Sequence, residues 1–159
     1  MTIQRKKRGD ENLMGVERHI AELLDVLKME VRSFTTVIEL LILEEKSLVA
    51  CDTASLADVI DRQGDVLSSI ACLEKSRLDI LGRIAVELGK RRDEMDLSEI
   101  AGLVGDPFRK DLIETRTVLA SIYEDMKRKK VSNTLLIRQG IMLVENDIRI
   151  LMKALGRDM

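Results

Sequence analysis

Apolar residues recur along the first third of the chain at alternating steps of three and four. Positions 13, 17, 20, 24, 27, 31, 34, 38, 41, 45 and 48 hold Leu13, Glu17, Ile20, Leu24, Leu27, Val31, Phe34, Ile38, Leu41, Glu45 and Leu48. Nine of these eleven are apolar, where a chain that is 45% hydrophobic gives roughly five by chance. A 3-4 repeat of this length predicts a helix over residues 11–51 with one narrow seam toward a partner helix. At ~1.5 Å per residue it is a rod of about 60 Å.

Asp52-Thr53-Ala54-Ser55 then offers cap residues for a second helix. That helix carries Leu56, Val59, Ile60, Val66, Leu67, Ile70, Leu73, Ile80, Leu81, Ile84 and Leu88 and ends near Gly89, a residue suited to a C-terminal cap. The short turn forces the two helices antiparallel. Residues 90–94 are charged and loop-like. Asp96 and Glu99 have the spacing of a capping box before a short helix over residues 97–104, which Gly105 stops. Asp106 reads as the cap of a last long helix over residues 107–155, with Pro107 at its first position. Its first half has Phe108, Leu112, Leu119, Ile122 and Met126. Its second half has Ile137, Ile141, Val144, Ile148, Leu151 and Leu155 at a strict 4-3 spacing. The run Lys127 to Lys130 and Ser132-Asn133 separates the two stripes, which read as differently registered. Either the halves face different partners, or the bundle crossing drifts.

The expected fold is all-α: an elongated antiparallel bundle of three long helices, with one short helix in the connection between the second and third. Residues 1–10 are expected to form a flexible basic arm, and residues 11–159 a single helical domain. Composition agrees. The chain is 34% charged, with one Pro, no Trp, one Tyr and two Phe, a profile of long helices without strand signals.

Net charge is −2, which leaves no global field to attract nucleic acid. The basic runs at residues 5–8 and 127–130 lack interleaved aromatics for base stacking. No apolar stretch is long enough to cross a bilayer, and acidic residues follow the basic N-terminus where a signal sequence needs an apolar run. A cytoplasmic protein is expected. Cys51 and Cys72 then fit a reducing compartment. The hairpin sets them roughly 30 Å apart, so they are expected as separate, buried thiols.

Catalytic chemistry finds little to build on. His19 is the one histidine, expected at a core edge or in solvent. Two cysteines without a second histidine do not close a zinc site, and Gly102-Leu103-Val104-Gly105 lacks the Lys and Ser/Thr of a phosphate loop. The expectation is a binding protein without enzymatic activity, metal or cofactor. Gln63, Arg77 and Asn133 occupy seam positions where apolar residues would be more stable. Such residues either fix register or orient a bound partner.

With these residues laid out, the chain resembles the FlgN family of flagellar export chaperones over roughly residues 20–155. Glu44-Glu45, Leu48, Asp52 and Leu56 fit the family's first turn. Leu73-Glu74, Arg77 and Ile80-Leu81 fit its second helix, and Asn133 with Leu136-Ile137 fits its last. Arg62 stands where the family has a lysine, and Lys130 where it has the first Asn of an Asn-x-x-Asn pair. The resemblance implies a cytoplasmic chaperone of the flagellar type III secretion system. Such a protein binds hook–filament junction (hook-associated) proteins, prevents their premature assembly and hands them to the export gate. The candidate client-binding residues are Ile137, Ile141, Val144, Ile148, Leu151 and Leu155, with Asn133. Nucleic-acid binding and stable membrane insertion are not expected, and the chain is expected as a monomer or weak homo-oligomer. The alternative is a structural coiled-coil adaptor or oligomerisation module whose stripe closes on itself.

Overall fold

The computed structural model describes residues 2–156, with side chains from residue 15 onward. Helix α1 is Thr2–Val49. It begins nine residues before the expected start, so the stretch read as a flexible arm has a helical backbone instead. Its Lys and Arg residues are good helix formers and only Gly9 interrupts them. The side chains of Leu13 and of the basic run 5–8 lie outside the described residues.

The α1 terminus is closed by Cys51, whose φ of 53° is left-handed. The Asp52 amide donates back to the Ser47 carbonyl at 3.0 Å, and the Cys51 amide to that of Leu48 at 3.2 Å, a Schellman closure normally built on glycine. A side chain pays a steric penalty there, so Cys51→Gly is expected to raise stability by about 0.5–1 kcal/mol. Urea denaturation checks this, and an equal or lower midpoint would refute it. Asp52 caps α2 (Thr53–Leu88) by accepting from the Ser55 amide. Its carboxylate also accepts from the Ser55 hydroxyl, at 2.6 Å. These two bonds hold the Asp52 carboxyl below its ordinary range. Gly89 ends α2 in the left-handed conformation, as the sequence implies.

A 3-10 turn at Arg92–Glu94 leads into α3 (Leu97–Leu103). Asp96 caps α3 by accepting from the Glu99 amide at 2.7 Å. Helix α4 is Phe108–Ala154. Pro107 occupies the cap position, one residue outside the helix instead of its first residue, and its carbonyl accepts from the Asp111 amide.

Helix α1 is the middle element. It packs on α2 along one side and on α4 along another, while α2 and α4 make no close backbone approach. The hairpin sets α2 antiparallel to α1. Helix α4 starts beside the α1 segment around Ile20 to Leu27 and reaches Leu41 with Asn133, so it runs in the same direction as α1. The helix inventory matches the sequence, but the α1–α4 pair is parallel. The strongest core lies at the end away from the turn, where α3 closes it. There Ile20, Leu23, Leu27, Ile84, Ile100 and Leu112 are fully buried.

Serving two neighbours widens the buried face of α1. Ile20, Leu24, Leu27 and Leu41 of the expected seam are buried, but so are Val16, Leu23, Val37 and Leu40 outside it. Glu17 of that seam is exposed. The chain exposes 11585 Å², against about 8000 Å² for a compact monomer of this mass.

Candidate functional site

Every buried or half-buried residue of α4 from Phe108 to Leu136, apart from Asp111 and Asp125, falls on one 3-4 series: Phe108, Leu112, Thr115, Leu119, Ile122, Met126, Lys129, Asn133 and Leu136. The seam does not break at the polar run, because Lys129 and Asn133 belong to it. Lys129 Nζ lies 3.3 Å from Glu45 Oε2 on α1. Asn133 is only 1% exposed. Its amide nitrogen donates to the Leu41 carbonyl at 2.8 Å and to Glu44 Oε1 at 3.1 Å. The other Glu44 oxygen accepts from Gln63 of α2 at 2.6 Å, so one carboxylate ties all three long helices together.

These bonds correct the place of Asn133 among the candidate partner-binding residues. Its amide nitrogen is engaged by α1, while its buried Oδ1 has no hydrogen-bond partner among the described residues, and it acts as a register residue between α4 and α1. Arg77 has the same internal use. Its Nε lies 3.2 Å from Glu30 Oε1 on α1. His19 sits at the core edge, with Nε2 3.2 Å from Glu87 Oε1 on α2. The polar residues that the sequence left open are thus cross-links between helices. Cys51 and Cys72 are free thiols but exposed instead of buried. Cys51 is at the apex of the turn, and Cys72 precedes the inward-facing Leu73 on an amphipathic helix.

Beyond Asn133, α4 loses its support. Asn133 lies beside Leu41 and Glu44, and α1 ends at Val49. Because the two helices run in parallel, residues beyond about 138 project past the turn, an overhang of about 25 Å. Ile137, Ile141, Val144, Ile148, Leu151 and Leu155 are all exposed there, from 42% at Ile137 to 69% at Leu155. The structure brings these six onto one unpartnered stripe. It also exposes Leu143 and Ile150, which lie seven and fourteen residues after Leu136. The seven-residue repeat that carries the α1-facing seam could have revealed them.

Among the described residues, no group of three or more His, Cys, Asp or Glu side chains could hold a metal ion. No helix among the described residues is long and apolar enough to cross a membrane. The long helices, their polar cross-links and the bare apolar end of α4 describe a scaffold that presents a surface. Against protein-family models, residues 14–158 match the FlgN protein family. The chain belongs to the FlgN family. No match was found among curated proteins or among solved structures. FlgN proteins are flagellar export chaperones, and chaperones of this family bind flagellar export substrates. Of the residues that carry the likeness, Glu44, Glu45, Arg77 and Asn133 make the interhelical contacts described above.

Proposed function

We propose that this FlgN-family chaperone works in the cytoplasm as a monomer or weak homo-oligomer, holding hook–filament junction proteins in an export-competent state on the overhanging end of α4. The stripe from Ile137 to Leu155 covers an apolar helix face of the client. A secreted subunit with an unpaired amphipathic helix self-associates until another helix lies along that face. The client is then released to the flagellar export gate. The observation that carries this reading is the exposure of all six stripe residues on a segment that the core does not use.

A chain ending after Leu136 tests it. Asn133 is the last buried residue of α4, and beyond Leu136 only Met152 is half-buried among the described residues, so the shortened chain is expected to keep the cooperative thermal transition of the full chain. It is also expected to lose binding to purified hook–filament junction protein in calorimetric titration. Retained client affinity would rule the stripe out. Sedimentation of the full chain over a concentration series addresses self-closure, and a tight oligomer that disappears on truncation would mean that the stripe pairs with its own copy.

A further inference from the structure

The overhang of α4 carries two apolar rows, and they have different origins. The face buried against α1 follows the series Leu112, Leu119, Met126 and Asn133 at steps of seven, interleaved with Thr115, Ile122, Lys129 and Leu136. Continued past Leu136 at the same steps, that face becomes Gly140, Leu143, Asp147, Ile150 and Ala154. The proposed client stripe, Ile137 to Leu155, begins one residue later and is rotated from it by about 100°. Leu143, Ile150 and the stripe are all exposed. A helix that meets one partner helix needs one narrow seam. Two adjacent seams serve a helix with two neighbours, as α1 is served by α2 and α4.

We infer that the overhang takes two helices of the same client, a helical pair, instead of one; this rests on the reading of the stripe as client surface. The first helix lies on Ile137 to Leu155. The second lies on Leu143 and Ile150, in line with α1 beyond Val49, and extends the α1–α4 interface. Asp147 specifies its chemistry. Asn133, two heptads earlier in the same row, is buried and is met by polar groups of the facing helix, the Leu41 carbonyl and Glu44. Asp147 in that row calls for a Lys or Arg on the client helix. The same residue disfavours a second copy of this chain, since parallel or centred antiparallel pairing along this row sets Asp147 near Asp147, two like charges in a closing apolar seam.

The test measures affinity for full-length hook–filament junction protein with three variants of the full chain. Leu143→Asp with Ile150→Asp is expected to weaken binding by about tenfold or more, and Asp147→Lys by a similar factor, with unchanged melting of both free proteins. Val144→Asp with Ile148→Asp is the reference for the first seam. If that reference pair loses binding while the Leu143/Ile150 pair and Asp147→Lys bind normally, a single helix suffices and the two-helix inference falls, with the client stripe intact. If the reference pair binds normally as well, the stripe itself is not client surface and both readings fail. A single-helix peptide of the client that matches full-length affinity overturns the inference. So does a homodimer that Leu143→Asp with Ile150→Asp dissolves.

Discussion

Replacing Val144 and Ile148 together with Asp is expected to weaken client binding by about a hundredfold or more, with the melting transition of the chain unchanged. The two residues sit at the middle of the overhanging stripe, 58% and 47% exposed. A partner helix laid along the stripe buries them, and fully burying such side chains contributes about 1.5–3 kcal/mol each. The central contacts of an interface dominate its energy, and a buried, unpaired carboxylate costs more than the lost apolar contact. Nothing in the folded chain packs on these positions, so the core does not register the change. Asp has about the helix propensity of Val, but the new charges lie one turn from each other, and from Asp147 and Glu145 respectively, and repel along the helix by a few tenths of a kcal/mol per pair. Val144→Ala with Ile148→Ala controls for fraying; it keeps the helix and is expected to cost a smaller, still measurable part of the affinity. Calorimetric titration with the junction protein and a thermal melt by circular dichroism decide the matter. Loss of the cooperative transition would show that the stripe is core, and native affinity with a normal melt would show that it is neither core nor site.

The helices were legible because their signals are local. Asp52, Gly89 and Asp96 announce helix ends whatever the chain does elsewhere, and each is found capping. The seam of α1 was only half legible. A narrow 3-4 pattern captures one neighbour, and α1 has two, so the pattern does not contain Val16, Leu23 and Val37, which are buried. The parallel α1–α4 pairing is not a local property; it follows from how α3 and the 3-10 turn carry the chain back to the start of α1. Asn133 is ambiguous in the sequence for a related reason. A polar residue on a seam reads alike from sequence whether its partner is Glu44 of the same chain or a group on another protein. The stripe beyond Leu136 does lie on a rotated face, as its spacing indicates, but the first seam runs on through Lys129, whose charge looks solvated until Glu45 is placed opposite it. The exposed stripe was visible as a pattern, yet only the ending of α1 at Val49 distinguishes an unpartnered row from a core row.

The ion pair between Arg77 and Glu30 leads to the second large effect, one of stability and pH. Glu30 is 3% exposed. Burial raises its carboxyl above the ordinary value, the Arg77 guanidinium acts to lower it, and Glu74 adds a smaller upward push. A carboxyl whose folded value is raised favours the folded state while protonated. That contribution is full below the ordinary value of 4.5 and is lost as pH rises through the folded value. Arg77→Met keeps most of the aliphatic packing and removes the one influence that favours the charged form. The Glu30 value then rises further, and at neutral pH the chain must either bury an uncompensated carboxylate or hold a proton there. Breaking a buried pair in this way costs about 3–5 kcal/mol. Arg77 is partly open to solvent, which screens the pair, so about 2–3 kcal/mol is expected at pH 7.5. The difference from the parent chain should shrink toward pH 4.5 and widen as pH rises. Urea denaturation of the parent, Arg77→Met and the double variant Glu30→Gln with Arg77→Met at both pH values measures this. The double variant has no buried carboxylate at this site, so its difference from the parent should lack the upward trend with pH. A single variant whose deficit is the same at both pH values would show that Arg77 acts through packing and that its charge does not stabilise Glu30.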